Sequence, residues 1–386
     1  MKNPIRELFL VTSIFLSFSA VAQPNPKVDA TIVKDSMRGI YSSYKDLQPF
    51  ILSRNVFFDK KNQPKILELV TSLQSGFHTI DKVDKKFHSE PGFATNILIV
   101  HETLTQVIKD LRRGSTEYDL RLLKGITQNC STCHSTYNPD LNFHDTLPKE
   151  LQENPAAKAQ FLMATRQFQE AEKAFLTAAK INKDTGDSLK NLRQWLVIQT
   201  RINDQPDDAL TKLQEFQKNN KVLYSYENEE IEDWIKSLKS WKNDSLKLSA
   251  FAKAKILLRT PLSSPEPIYA SVHAVDLLRA SGMLHRGLSD RSIKGIERGE
   301  SFYMLGYIYS KLPLFFIDEL PEIYFEQCIR ENPNSEVARS AHAIYKDLII
   351  LNYTGSGGTH VPGDQLAKVD DLYRIAFGIP AVPNRL

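Results

Sequence analysis

Only three cysteines occur in the 386 residues, Cys130, Cys133 and Cys328, and no second Cys-x-x-Cys or paired histidine follows the first two. This argues against a four-ligand zinc site. No dense basic run is present, and a formal net charge of +3 is too weak an excess to indicate nucleic-acid binding. After Ala22 no apolar run is long enough to cross a bilayer. We also find no nucleophile–base constellation, so the sequence does not predict an enzyme.

The most informative stretch is Cys130-Ser131-Thr132-Cys133-His134. Two thiols three positions apart, followed at once by an imidazole, are the attachment pattern of a c-type haem. The thiols add across the haem vinyl groups, and the histidine supplies the proximal iron ligand. A redox dithiol would need a βαβ context, whereas the surroundings of the motif read as helical. A structural disulfide would leave the adjacent His134 unexplained. The sequence therefore predicts one covalently bound haem c, with Cys130 and Cys133 as thioethers and His134 on the iron.

The beginning of the chain reads as a secretory signal peptide over residues 1–22. Lys2 and Arg6 charge the short first part, and an apolar run follows from Leu8 to Ala20. Ala20-Val21-Ala22 provides the small residues of a cleavage site, so we expect cleavage near Ala22. The alternative is an uncleaved membrane anchor, for which the apolar run is short. Covalent haem attachment in bacteria takes place outside the cytoplasmic membrane, which agrees with a periplasmic protein that has no integral membrane segment after cleavage.

Residues 27–140 contain four segments in which apolar residues recur at alternating spacings of four and three. Pro91-Gly92 and Gly114 separate the later segments, and the links are short. This pattern predicts an all-α fold whose first domain is an antiparallel four-helix bundle. The apolar positions are Val33, Met37, Ile40, Tyr44, Leu47 and Ile51; Ile66, Val70, Leu73, Phe77 and Ile80; Ile97, Val100, Leu104, Val107 and Leu111; and Leu123, Ile126, Cys130, Cys133 and Tyr137.

The phase of the fourth segment places both motif cysteines on its apolar stripe, so the thiols are expected to face the bundle interior. Met37 lies on the inward stripe of the first segment, at the level that an up-and-down bundle gives to His134. Met37 is therefore a candidate for the sixth iron ligand, with an ordinary core methionine as the alternative. Three histidines compete for that position: His78, His88 and His101.

A four-helix segment with Cys-x-x-Cys-His near the end of its last helix resembles the class II c-type cytochromes, the group of cytochrome c′ and cytochrome c-556. The resemblance covers residues 27–140 and implies a haem within the bundle. The 556-type members use a methionine of the first helix as sixth ligand, which implies Met37, whereas the c′-type members leave that position empty. The aromatic residue that usually follows the motif corresponds to Tyr137, which implies a contact with the cofactor. Asn138 and the Val33–Lys34 region depart from the group, where arginine is common.

Residues 155–386 follow a proline-containing linker, Leu147–Pro155, and are similar to the tetratricopeptide-repeat family, with degenerate repeats. Helices around Tyr269–Ser281 and Glu336–Leu351 are expected beside the repeats, and Gly355–His360 is expected to be a flexible loop. A stacked helical array offers a concave surface that usually holds a protein segment. The similarity is carried by Phe168, Ala171, Phe175 and Ala178, then Ala209, Leu213 and Phe216, and finally Phe302, Leu305, Gly306, Tyr309, Phe325, Cys328 and Pro333.

Together these patterns predict a periplasmic monohaem c-type cytochrome that carries one electron, with a helical repeat region that docks a redox partner. The alternative is a haem-based gas sensor, in which Met37 does not ligate and the open iron reports to a partner through the repeat region. A peroxidase is disfavoured because no distal acid–base pair is evident. Pairing of two copies through an exposed helix face stays open, and Cys328 is expected to be a core residue.

Overall fold

The computed structural model describes residues 26–83, 91–136, 143, 146–181, 184–219, 223–243, 247–263 and 273–380. In these residues the chain is almost entirely α-helical, with one short β-hairpin, which confirms the predicted all-α class. Within the same residues no helix combines the length and apolar character needed to span a bilayer. The segment read as a signal peptide lies outside the described residues.

The first part of the chain forms four long helices and one short one. A short helix that the periodicity did not predict begins after Ser53, whose Oγ accepts a hydrogen bond from the backbone of Val56. It is anchored by the fully buried Phe57. Gly114, with φ 127°, provides the turn between the last two helices. The bounds are α1 Pro26–Leu52, α2 Arg54–Phe58, α3 Gln63–Val83, α4 Pro91–Leu111 and α5 Glu117–Thr136.

The long helices pack in a closed series, α1 on α3, α3 on α4, α4 on α5 and α5 on α1. The apolar positions predicted from Ile40 to Ile126 are buried and form one hydrophobic cluster. Met37, Cys130 and Cys133 are partly buried and pack against the same cluster. The spacing of the apolar residues thus identified the inward faces correctly.

The predicted linker contains a short helix, α6 (Lys149–Gln152), which packs against α1 through the fully buried Leu151. Helix α7 (Pro155–Ala164) follows, capped by the side chain of Asn154. Phe161 and Ala164 of α7 belong to the cluster of the first four long helices, whereas Leu162 belongs to the cluster of the later helices. One helix therefore contributes to both hydrophobic cores.

The rest of the chain is a succession of helices in which most neighbours in sequence pack together. A π-helical segment, Ile198–Asn203, continues α9. The bounds are α8 Phe168–Ile181, α9 Thr185–Val197, α10 Pro206–Asn219, α11 Ser225–Lys242, α12 Ala250–Leu257, α13 Arg259–Ser263, α14 Ala274–Ser289, α15 Ile296–Ser310, α16 Leu320–Glu331, α17 Glu336–Asn352, β1 Thr354–Gly355, β2 Gly358–Thr359 and α18 Gly363–Phe377.

Several of the positions that carried the repeat similarity lie on the faces where helices meet, whereas Pro333 is exposed between α16 and α17. Ala171, Phe175 and Ala178 of α8 are buried, and α8 packs against α7. In the later pair, α15 and α16, a Cβ at Gly306 would come within 2.8 Å of the Phe325 ring, so the absence of a side chain allows the close approach. Cys328 is fully buried, as expected.

Two predictions of detail need correction. The helix predicted at Tyr269–Ser281 is α14, which begins at Ala274 and continues to Ser289, while residues 264–272 are not described. The glycine-rich stretch predicted as a flexible loop contains the antiparallel pair β1–β2. The Oγ1 atoms of Thr354 and Thr359 lie 2.8 Å apart across this hairpin, so the glycines serve a tight turn and not a loose connection.

Candidate functional site

The motif lies in the second half of α5, whose start is fixed by a reciprocal cap. Asp119 accepts hydrogen bonds from the backbone and the hydroxyl of Thr116 at 2.7 and 2.8 Å, and the Thr116 hydroxyl accepts one from the Asp119 backbone. From this start, helical geometry brings Cys130 and Cys133 to one face, three residues apart. The sequence predicted this phase, and both thiols lie against the hydrophobic cluster.

That face lines an apolar cavity of about 650 Å³, counting the part open to solvent, between α1, α3, α4, α5 and the end of α7. Cys130, Cys133 and His134 form one part of its wall, and Met37 of α1 forms another. The predicted haem residues and the predicted sixth ligand thus line the same cavity.

His134 is held in one orientation by the backbone of α7. Its Nδ1–H donates a hydrogen bond to the carbonyl oxygen of Ala164 at 2.6 Å. This bond fixes the tautomer and leaves Nε2 as the free, basic nitrogen, the usual arrangement of a metal-binding histidine. The pKa of His134 is lowered to about 4, first by burial and then by the Arg166 guanidinium, while the hydrogen bond to Ala164 opposes both effects. The imidazole is therefore neutral at pH 7 and able to bind a metal.

The two motif thiols are protonated at neutral pH. The pKa of Cys130 is raised to about 12, first by burial and then by the proximity of Cys133. Burial also raises the pKa of Cys133 to about 12, against a smaller lowering by Arg166. A redox-active dithiol or a thiolate zinc site requires a lowered thiol pKa. In the described part of the chain, moreover, no group of three or more histidine, cysteine or acidic side chains could hold a metal ion.

Two of the three competing histidines, His78 and His101, are not among the residues that line the cavity. His78 of α3 and His101 of α4 face each other with ring centroids 5.9 Å apart, and neither is part of the described cavity wall. Each follows a residue that does line the cavity, Phe77 and Val100. His88 and Tyr137, which the sequence also proposed, lie outside the described residues. Among the proposed sixth ligands that the structure describes (Met37, His78 and His101), Met37 is the one whose side chain lines the cavity.

Several residues of the site were not identified from the sequence. The last residue of α7, Ala164, and its C-cap, Thr165, line the wall, and the buried Arg166 follows them with φ 66°. Asn96 of α4 is buried in the wall, and its Oδ1 has no hydrogen-bond partner among the described residues. The group that bonds His134 is the backbone carbonyl of Ala164, which no side chain in the sequence indicates. The sequence alone does not distinguish Asn96, in the cavity wall, from an asparagine that is exposed to solvent.

A scan against protein-family models, a search of curated proteins and a search of solved structures found no match for this chain.

Proposed function

We propose that the chain is a periplasmic monohaem c-type cytochrome of the class II kind, in which an antiparallel four-helix bundle over residues 27–140 holds the haem. Residues 155–386 form a tetratricopeptide-like array that docks a redox partner. The observation that carries this proposal is the placement of Cys130, Cys133 and His134 together in the wall of one apolar cavity, with His134 Nδ1 already bonded.

The residues of the cavity fit haem c. Cys130 and Cys133 would hold it as thioethers, and His134 Nε2 would bind the iron from one side. Met37 is the proposed ligand on the other side, and the apolar wall would exclude water from the ring. Bound haem c supplies reversible one-electron chemistry, whose potential depends on axial ligands and burial.

The polar side chains that line the cavity favour electron transfer over catalysis. Among the described wall residues no side chain is acidic, and His134 is the basic one. Tyr44 shares a 2.5 Å hydrogen bond with Thr127, and burial raises the pKa of its hydroxyl, so it does not release a proton near pH 7. A peroxidase would need an acid–base pair that moves protons at bound peroxide. The proposal is therefore an electron carrier and not an enzyme.

The test is the visible spectrum of the purified full-length protein, first as isolated and then after denaturation and acid–solvent extraction. We expect one haem per chain that stays with the polypeptide through extraction. The Cys130→Ser/Cys133→Ser variant provides the control, in which any haem must be extractable. A wild-type protein expressed with a haem-attachment system, yet free of covalent haem, would sink the proposal.

A haem-based gas sensor is the second candidate, and Asn96 is the observation that favours it. A buried amide with an unused oxygen in an otherwise apolar wall is a polar group that could orient a small molecule at an open iron. Carbon monoxide distinguishes the two functions, because a reduced protein with six fixed ligands does not bind it. A large spectral change on its addition would favour the sensor.

The proposed location and partners rest on the sequence. Export follows from the reading of residues 1–22, and recovery of the mature chain from the periplasm, beginning near Gln23, would test it.

Docking of a redox protein on the helical array follows from the repeat similarity. Size-exclusion chromatography with light scattering would decide whether two copies pair.

A further inference from the structure

The outer side of α18, the last helix that the structure describes, is not the polar side that a surface helix normally presents to solvent. The inner side packs against α16 and α17. On the outer side Leu366, Tyr373 and Phe377 are 50, 42 and 39 % exposed. Seven of the sixteen large apolar side chains that are exposed in the described residues lie between residues 350 and 380. Such a concentration indicates a surface that another molecule covers.

The outer residues of α18 form a stripe whose spacing reads the same in both directions. Four positions follow one another at spacings of three, four and three, which keeps them on one side of the helix. If two copies of α18 pack antiparallel, the first position therefore meets the fourth, and the second meets the third. The α18 face is defined by this stripe and two large neighbours: Ala367, Asp370, Arg374 and Phe377, with Leu366 and Tyr373 beside them.

The residues that the antiparallel arrangement brings together are complementary in size and in charge. Phe377 would lie against the small Ala367 of a second copy, which leaves room for the ring. Asp370 would meet Arg374 of the second copy, and the two-fold symmetry would form this ion pair twice. A single face thus supplies both sides of every contact, so it fits a second copy of this chain.

The two charges of the stripe are not used within the chain. In the described residues neither Asp370 nor Arg374 takes part in an ion pair, although one helical turn separates them. The other charges of α18 behave differently, because Asp371 and Lys368 each lie within ion-pair distance of a side chain of α16. The pairing of Asp370 and Arg374 therefore requires a group from outside the described chain.

We propose that the α18 face is a self-association surface, on which two copies of this chain pair antiparallel about a two-fold axis at the level of Leu372. The contact is isologous, so it closes with two copies and does not continue into a filament. It involves no residue of the haem motif or of its cavity and is independent of the proposed electron-transfer function.

The size of the face sets the strength of the pairing. Helix α18 has 15 residues and is about 22 Å long. One helix of this length on each side gives an interface below about 1,200 Å², at the small end of specific protein interfaces. We therefore expect a dimer that dissociates on dilution and not an obligate one.

The experiment is sedimentation equilibrium of the purified full-length protein over a range of concentrations, with charge-reversed variants. Asp370→Arg and Arg374→Asp each oppose like charges across the axis, and the double variant restores opposite charges. We expect each single variant to raise the dissociation constant of the dimer by at least about tenfold. The double variant should recover most of the wild-type affinity. Glu102→Arg, which reverses an exposed charge on α4, is the matched control and should dimerise like the wild type.

Circular dichroism is measured first, to establish that every variant is folded. A wild-type protein that is monomeric at all concentrations, or one that assembles beyond two copies, would overturn the proposal. So would single variants that dimerise like the wild type. Single variants that are weakened without recovery in the double variant would refute the antiparallel pairing of Asp370 with Arg374. Covalent haem is measured separately, and its absence would refute the proposed function without touching this inference.

Discussion

The three motif side chains are kept uncharged by their surroundings. Burial is the first cause of every pKa shift among them, raising the pKa of both thiols and lowering that of the imidazole. An uncharged thiol and an imidazole with a fixed Nδ1–H fit the formation of thioethers and an iron bond. They do not fit thiolate chemistry, which needs the opposite shift.

Replacement of Met37 by leucine tests the sixth ligand. If the thioether binds the iron, Met37→Leu will lose the weak long-wavelength band of thioether ligation, bind carbon monoxide when reduced and show a lower potential. Met163→Leu is the matched control, because Met163 is buried in α7 and does not line the cavity. Identical optical spectra for both variants and the wild type would show that Met37 is a packing residue.

His285 predicts a pH dependence of stability that is independent of the haem. Burial, then Arg201 and Arg286, hold its pKa well below 6.5, and Tyr309 OH lies 2.7 Å from its Nε2. Above pH 6.5 the imidazole is neutral in both the folded and the unfolded state. As the pH falls below 6.5, the unfolded state takes up a proton that the folded state does not, so the free energy of unfolding decreases.

We expect His285→Gln to weaken the pH dependence of the free energy of unfolding. Between pH 6 and the pKa of His285 in the folded state, the wild type should lose roughly 1.4 kcal/mol more than the variant for each pH unit. Guanidinium unfolding at pH 7.5, 6 and 5 measures the effect as a difference between variant and wild type. Parallel pH profiles of the two proteins would contradict the assignment.

Helices were predictable where a long apolar stripe had to be buried, and unpredictable where the chain makes a local adjustment. The stripes of α1, α3, α4 and α5 span several turns, so their period and inward faces followed from the sequence. Helix α6 has four residues and the π-helical segment has six, too few for a period. The contact of Ala164 with His134 depends on how α7 packs, which no local pattern encodes.

The close approach of α15 and α16 gives a prediction for two glycines in helices. Gly306→Ala should destabilise the fold by about 1–3 kcal/mol, because the new Cβ would meet the buried Phe325 ring at 2.8 Å. Gly282→Ala in α14 is the control, since its nearest neighbour would be 3.5 Å away. There alanine should be neutral or stabilise by about 0.5–1 kcal/mol through its better helix propensity. Urea unfolding of both variants checks the difference, and equal effects would contradict the packing argument.

The two halves of the chain are joined by more than a linker. Besides α7, which contributes to both hydrophobic cores, α16 contacts α4, and the buried Arg201 bonds to the Thr136 hydroxyl at the end of α5 at 3.4 Å. Arg201 also lies 4.5 Å from the centre of the Phe316 ring. A change in helices α1–α5 should therefore reach the later helices through several independent contacts.

The three tryptophans allow this coupling to be measured, because Trp195, Trp234 and Trp241 all lie beyond residue 155. In the Cys130→Ser/Cys133→Ser variant the apolar walls of the cavity lose the contacts that a covalent haem would make, so helices α1–α5 should unfold at a lower temperature. Since α7 is part of both cores, we expect the tryptophan fluorescence midpoint to fall together with the helical circular dichroism.

Cys328→Ala provides the control, because it removes a buried cysteine of α16 without touching the motif. If the proposed haem is present, that variant should retain it and unfold in a single transition by both probes. If the halves were independent, the double serine variant would show two separate transitions, and the tryptophan midpoint would stay at the wild-type temperature. A common shift of both probes would instead mean that occupancy of the cavity stabilises the helical region, because the strain of an unfilled core passes through the shared helix.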